Sequence, residues 1–205
     1  MKYVMIDEIR DSLKNIIGEK CWDASNIITG TLLMYFGDVL LKDVSLSEDI
    51  DIMPVGQYEI LIWCEWRLDN KNEILCSSGS SDETIARTVF QLIGDTVVGI
   101  EIFPPVWDTI ITFSSGKTLK IFCDYVQNYD GFTNWTIRIK DTNYYLGEGK
   151  RLEKGKRSIL TYKPFPSTKL PPIDIEERLE SVKKRIPYDQ LLEIANKIKE
   201  KYPNE

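Results

Sequence analysis

The chain of 205 residues contains no histidine. This absence excludes Ser-His-Asp and Cys-His nucleophile activation, acid–base catalysis by imidazole, and the common zinc hydrolase sites. Chemistry that uses carboxylates alone remains open, as does magnesium-assisted phosphoryl chemistry. Any catalytic site in this chain would therefore be built from acids.

Long apolar segments are also missing. No run approaches the roughly 20 residues that a membrane-spanning helix needs. The N-terminal residues 1–15, MKYVMIDEIRDSLKN, are charged throughout and have no apolar signal-peptide region. We therefore expect a soluble, cytoplasmic protein without a membrane partner.

Two kinds of cofactor motif are absent. There is no G-x-G-x-x-G and no G-x-x-x-x-G-K-[ST], so the sequence supports neither a dinucleotide site nor a P-loop. The four cysteines are scattered and form no C-x-x-C pair (Cys21, Cys64, Cys76 and Cys123). We expect them to be reduced and buried as small hydrophobic residues, and we expect no cofactor and no bound metal.

The charge is unevenly distributed. Residues 1–150 carry 13 Lys and Arg against 23 Asp and Glu, a net of −10, whereas residues 151–205 carry 13 against 9, a net of +4. An acidic body lacks the basic side chains that phosphate contacts need, so we expect no nucleic-acid partner. It suits a basic protein partner instead.

The most informative pattern is a repeat. Apolar residues at helical spacing occupy residues 5–17 and again residues 82–93, and an offset of 76 superimposes the two segments and the glycine that follows each. Ser80 and Glu83 fit a capping box at the start of the second helix. The sequence thus predicts two related helices.

The strands repeat as well. The alternating strand 30–38 parallels 109–117, and the hairpin 65–78 parallels 134–147 with Trp66 matched to Trp135. We expect both tryptophans in the core, and an insertion at 40–58 that lies at the same place in the fold as one at 124–134.

We predict an α+β protein of two related antiparallel β-rich units, residues 1–79 and 80–149, each with a helix. A small sheet with one apolar face is marginal alone, so the units should bury these faces together. Residues 150–205 follow the repeat. We expect a flexible basic stretch at 148–157, an extended Pro-rich linker, and a C-terminal helical pair at 174–186 and 188–202.

No side-chain pattern marks a catalytic site. The first insertion holds clustered acids, including a D-x-D spacing that could hold a divalent cation (Asp43, Glu48, Asp49 and Asp51). The second insertion holds aromatic side chains that could anchor an interface (Tyr125, Tyr129 and Phe132). We take these seven residues as candidates for binding a partner, with a solvated loop and hairpin packing as the structural alternatives.

Three segments share a pattern: IWCEWRLDNKNEILCSS, LIGDTVVGIEI and ITFSSGKTLKIF. They match W-R-[IL], then L-x-G, then F-x-x-G-x-x-L-x-[IV]-F before a late Trp. In this pattern, over about residues 15–147, the chain resembles a group of small bacterial proteins of the immunity type, which are companions of secreted toxins. The resemblance implies a non-catalytic protein that neutralises a toxin, and it assigns no functional residues.

Three functions therefore stand as expectations. The first is a binding protein, of the immunity type, that neutralises a basic toxin. The alternatives are a carboxylate- or metal-dependent enzyme using the loop Asp43–Asp51, and a regulatory subunit that docks through its C-terminal tail.

Overall fold

A computed structural model describes residues 2–3, 6–28, 30–44, 51–123, 134–139, 142–146, 152–156, 163–164, 174–177 and 180. These residues form a mixed α+β fold that consists mostly of strands. The helices are α1 (Ile6–Leu13) and α2 (Asp82–Val89), and the strands are β1 (Lys2–Tyr3), β2 (Cys21–Asn26), β3 (Leu32–Val44), β4 (Asp51–Ile62), β5 (Glu65–Asp69), β6 (Ile74–Ser77), β7 (Val97–Phe103), β8 (Asp108–Phe113), β9 (Thr118–Phe122), β10 (Trp135–Ile139), β11 (Thr142–Leu146), β12 (Leu152–Lys156) and β13 (Lys163–Pro164).

The strands form two antiparallel sheets. The eight-stranded sheet has the order β1-β12-β11-β10-β4-β3-β13, with β2 also paired to β3, and the five-stranded sheet has the order β6-β5-β9-β8-β7. Each Trp-containing hairpin pairs with a strand from the other half of the chain, and in this sense the hairpins are exchanged. Trp66 of β5 pairs with Ile121 of β9, and Trp135 of β10 pairs with Ile62 of β4. Each sheet therefore contains strands from both sides of residue 79.

The two helices correspond element by element. Each has eight residues, each is followed by a short 3-10 turn (Lys14–Ile16 and Phe90–Leu92), and an offset of 76 relates every boundary. The N-cap of α2 is Ser81, whose hydroxyl accepts the Thr84 N–H at 3.2 Å. The predicted cap at Ser80 is wrong, because the Ser80 hydroxyl accepts the Ser77 N–H in the preceding turn.

The two halves meet at Lys20 and Thr96, which form an isolated antiparallel bridge. The hydrogen bonds around this bridge are reciprocal. Gly18 N–H donates to the Val97 carbonyl at 2.8 Å, and Gly94 N–H donates to the Cys21 carbonyl at 2.7 Å. Both glycines have a φ of +92°, a conformation that side chains with a Cβ disfavour.

The first strands of the two halves share a defect in register. The pairing of β2 with β3 shifts between Cys21 and Asp23, and that of β7 with β8 shifts between Val97 and Gly99. Because Phe36 and Phe113 face these bulges, β3 corresponds to β8 with an offset of 77. The predicted match of 30–38 with 109–117 is therefore two residues out, a shift that alternation cannot reveal since side chains repeat every two residues.

One core joins both sheets and both helices. Ile9 and Leu13 of α1 and Ile85 and Val89 of α2 are buried within it. Trp66 and Trp135 are 1% and 0% exposed, which confirms the prediction that both lie in the core. All four cysteines are free and buried, as expected.

Two expectations about the insertions are wrong. Residues 40–44 and 51–58 form strands. Their pairing runs from Leu40 opposite Val55 to Val44 opposite Asp51, and it forms because the cross-strand hydrogen bonds satisfy their backbone groups. The corresponding place in the second half is the turn Ser114–Lys117, whereas segment 124–134 follows β9. The two insertions therefore occupy different positions in the fold.

The segment after residue 148 also differs from expectation. Within the stretch expected to be flexible, Leu152–Lys156 forms β12, with Leu152 buried and Lys154 bonded to Glu8. Charged side chains are well suited to a strand near a sheet edge. Of the Pro-rich segment, Lys163–Pro164 forms β13 beside Leu40–Leu41. The predicted helical pair lies outside the described residues apart from 174–177 and 180.

Candidate functional site

The outward surface of the five-stranded sheet is open. In β8 the side chains alternate, so that Thr109, Ile111 and Phe113 are buried while the intervening residues face out. Cross-strand pairing places the outward residues of the four longest strands on one face, here called the open face (Glu65, Arg67, Asp69, Gly99, Glu101, Phe103, Asp108, Ile110, Thr112, Thr118, Lys120 and Phe122).

A hollow of about 290 Å³ lies on the open face. Its rim carries two exposed aromatic rings, since Phe103 is 41% exposed and Phe122 is 38% exposed. The complete lining is Phe103, Asp108, Thr109, Ile110, Lys120, Ile121 and Phe122. Apolar side chains rimmed by charge are typical of a binding surface.

The charged groups at the hollow are already bonded. Asp108 Oδ1 accepts the Cys123 N–H at 2.9 Å, and Lys120 Nζ lies 2.9 Å from Asp69 Oδ2. Arg67 Nε donates to Asp69 Oδ1 at 2.8 Å, and its guanidinium lies 5.9 Å from the centre of the Phe122 ring. These contacts fix the geometry of the face.

Asp69 anchors this network. Burial raises the pKa of its carboxyl, but the hydrogen bonds and charges of Lys120 and Arg67 outweigh this effect, so the pKa is lowered overall. Asp69 is therefore a stable anion that holds two cations in place beside the hollow.

The loop between β7 and β8 extends the open face. It runs from Phe103 to Trp107, contains the cis bond Pro104–Pro105, and exposes 37% of Val106. The Trp107 carbonyl accepts the Thr109 hydroxyl at 3.1 Å and the Cys123 thiol at 3.2 Å. These bonds attach the loop to the sheet directly beside the hollow.

The equivalent face of the eight-stranded sheet is covered. Leu33 and Tyr35 of β3 correspond to Ile110 and Thr112, and both are buried. The ring of Trp22 stacks on Tyr35 at 5.1 Å, and Glu59, only 3% exposed, is bonded to Arg138. Among the residues that the structure describes, the five-stranded sheet therefore presents exposed apolar side chains where the corresponding positions of the eight-stranded sheet are buried.

Of the seven residues predicted from sequence, the structure describes the backbone of two. Asp43 and Asp51 stand at the far end of the β3–β4 hairpin, where Asp43 pairs with Ile52 and Val44 with Asp51. Their side chains lie outside the described part of the chain, as do five further candidates in full (Glu48, Asp49, Tyr125, Tyr129 and Phe132). Within the described part of the chain, no three acidic or thiol side chains come together as a metal site.

The sequence contained a signal for the open face. The strands TIITF and TLKIF carry apolar residues at both alternating positions, so that Ile110 and Phe122 fall on the side opposite to the core. A strand with one face in solvent normally alternates cleanly.

No protein-family model, curated protein or solved structure matches this chain. Among the described residues, no helix is long and apolar enough to cross a bilayer.

Proposed function

We propose that this chain is a non-catalytic binding protein, and specifically an immunity-type protein that neutralises a basic toxin. The observation that carries the proposal is the contrast between the two corresponding sheets. One outer face is covered by packed side chains, and the other is open around an apolar hollow. A surface of this kind favours protein recognition.

The dimensions of the hollow favour an anchor side chain. Its volume of about 290 Å³ lies at the lower limit of small-molecule pockets, which hold roughly 300–1,000 Å³. Phe103 and Phe122 offer two ring surfaces to an inserted group, and Arg67 holds Phe122 in position. Its two charged groups, Asp108 and Lys120, are committed to internal contacts, which supports binding over acid–base chemistry.

The partner is basic. The chain has a formal net charge of −6, and residues 1–75 carry 7 Lys and Arg against 14 Asp and Glu, a net of −7. Such an excess accelerates the encounter with a cationic protein and makes the association rate fall as salt is added. We propose the acidic hairpin end from Asp43 to Asp51 as a second contact, and Tyr125, Tyr129 and Phe132 as further contacts.

We also propose that the two halves arose by duplication of one helix-and-strand unit. The shared offsets, the matched bulges and the reciprocal hydrogen bonds around Lys20 and Thr96 support this origin. The covered face then retained a structural role while the open face became free to bind.

The proposal is tested by finding the partner. The reading frames that neighbour this gene are expressed singly, and each product is tested for growth arrest with and without this chain. We expect one toxic, basic product that this chain neutralises and binds in a 1:1 complex by size-exclusion chromatography. If no neighbouring product is toxic, or if neutralisation occurs without complex formation, the proposed function is wrong.

A further inference from the structure

Two cysteines lie opposite each other at one end of the pairing between β5 and β9. The register of these strands ends where Glu65 pairs with Phe122. The next residue on each strand is a cysteine, so Cys64 comes opposite Cys123. Side chains alternate along a strand, and both cysteines fall on the buried side, with exposures of 2% and 5% within the same core cluster.

The backbone of β5 shows which way Cys64 turns its amide. Trp66 N–H donates to Ser78 Oγ at 3.3 Å, and the Trp66 carbonyl accepts the Ser78 N–H at 3.0 Å, so Trp66 turns its backbone groups towards β6. Backbone groups alternate in direction along a strand, so Cys64, two residues earlier, also turns away from β9. Its N–H donates to the Asn134 carbonyl at 3.1 Å.

Cys123 turns its amide in the other direction. Its N–H donates to Asp108 Oδ1 at 2.9 Å, on the side of β8. Each amide therefore points away from the opposite cysteine, which makes Cys64 and Cys123 a non-hydrogen-bonded pair. In such a pair the Cα atoms lie about 4.5 Å apart and the side chains are at their closest. A disulfide needs Cα atoms about 4.4–6.8 Å apart, so the backbone already holds the two thiols at a suitable separation.

The other two cysteines have different neighbours. Cys21 lies opposite Phe36 in the eight-stranded sheet, and Cys76 lies opposite Leu68 in the five-stranded sheet. In the strands that the structure describes, the register therefore favours one cysteine pair over the alternatives.

We propose that Cys64 and Cys123 are a redox-sensitive pair that hydrogen peroxide converts to a disulfide. One thiol gives up its proton and its sulfur attacks the O–O bond, which yields a sulfenic acid and one water. The second thiol attacks the sulfenic sulfur, so that the S–S bond forms and a second water leaves. Two thiols are thus oxidised to one disulfide while one peroxide is reduced to two waters. Burial selects this oxidant, because peroxide is little larger than water.

The disulfide changes the support of the open face. The Trp107 carbonyl accepts the Cys123 thiol at 3.2 Å and the Thr109 hydroxyl at 3.1 Å. A disulfide sulfur carries no proton, so oxidation removes the first of these donors. Trp107 ends the loop beside the hollow, and Phe122 on the rim of the hollow is the residue before Cys123. Oxidation therefore acts on both the loop and the rim.

Peptide mapping of the full chain tests the pair. The reduced protein is treated with a small excess of hydrogen peroxide under native conditions, blocked with iodoacetamide in guanidinium chloride, and digested with trypsin. Trypsin places each cysteine in its own peptide, residues 21–42, 43–67, 72–87 and 121–138. We expect the number of titratable thiols to fall from four to two. Peptides 43–67 and 121–138 should be joined by a bond that dithiothreitol cleaves.

Matched variants identify the same pair independently. Cys64→Ala and Cys123→Ala should each abolish the loss of two thiols. Cys76→Ala is the control, because it removes a cysteine of similar burial, 3% exposed, from outside the pair. It should still lose two thiols. Unfolding midpoints in urea show whether each variant remains folded, and the wild-type peptide map requires none of them.

The outcomes are distinct. Joining of any other two cysteines, or oxidation of a single cysteine to sulfinic acid, overturns the pair. Retention of all four thiols in the native chain, at a peroxide concentration that oxidises the unfolded chain, overturns it as well. The effect on the open face is read from the backbone amide resonances of residues 106, 107 and 122, which we expect to shift on oxidation of the wild type and to stay in place in Cys64→Ala. If the disulfide forms and these resonances do not move, its connection to the open face is wrong.

Discussion

Trp66 and Trp135 make the same hydrogen bond in opposite halves of the molecule. Trp66 Nε1 donates to the Gly30 carbonyl at 2.6 Å, and Trp135 Nε1 donates to the Trp107 carbonyl at 3.5 Å. Gly30 and Trp107 are separated by 77 residues, and both have a positive φ, of 77° and 66°. Because the hairpins are exchanged, each indole connects a strand of one sheet to the turn that leads into the other.

The first prediction concerns these indoles. Trp66→Phe removes a short hydrogen bond and leaves the carbonyl of the half-buried Gly30 without this donor, whereas Trp135→Phe removes a longer and weaker bond. We expect both variants to lose stability in urea unfolding, and Trp66→Phe to lose about 1 kcal/mol more. Equal losses would show that the two bonds contribute alike.

A second prediction concerns Gly30. An added Cβ would lie 3.0 Å from the Ser78 carbonyl oxygen, at a φ that strains any residue with a side chain. Gly30→Ala should cost about 1–3 kcal/mol in the free energy of unfolding. Gly79→Ala is the control, because there the added Cβ meets only the Ser77 hydroxyl at 3.9 Å. A control that is destabilised as much as Gly30→Ala would exclude this explanation.

The third prediction follows from Asp69. Since its pKa is lower in the folded protein than in the unfolded chain, its stabilising effect is fully present above the unfolded pKa and is lost as pH falls through the folded pKa. The stability difference between wild type and Asp69→Asn should therefore shrink on acidification. Asp11→Asn, at an exposed pair with Lys14, is the control and should give a small difference throughout. A difference for Asp69→Asn that stays constant with pH would contradict the assignment.

A fourth prediction concerns the thiols. Burial raises the pKa of Cys76 to about 11, with a hydrogen bond from Thr88 acting weakly in the opposite direction. The thiolate is the reactive form, so Cys76 should react slowly with Ellman's reagent at about pH 8 in the native protein. In guanidinium chloride all four free thiols should react rapidly. Fast native labelling of Cys76 would show that the site opens readily.

Much of the architecture followed from the sequence. The sequence showed the offset of 76 between the helices, because apolar residues at helical spacing are a strong signal. It also showed Trp66 and Trp135 as equivalent core residues, because large aromatic side chains are easy to match. The sequence did not show that strands of one half pair with strands of the other, since the alternation of side chains along a strand does not specify its partner strand. For the same reason the offset of the strands was misjudged by two residues.

The candidate site was harder to predict. Clustered acids such as Asp43 and Asp51 attract attention in a sequence, whereas Phe122 becomes notable only when the direction of its strand is known.

The central claim is that the open face binds a protein partner, and a matched pair of variants tests it most directly. Phe122→Glu adds a charge at the hollow, and Ile28→Glu adds the same charge to a side chain of similar exposure in the β2–β3 turn, 37% against 38%. The affinity of each for the neutralised toxin is measured by isothermal titration calorimetry. We predict that Phe122→Glu weakens binding by at least about a hundredfold, as expected for an interface anchor, while Ile28→Glu stays within about threefold of wild type. Wild-type affinity in Phe122→Glu, with the fold intact, would contradict the claim.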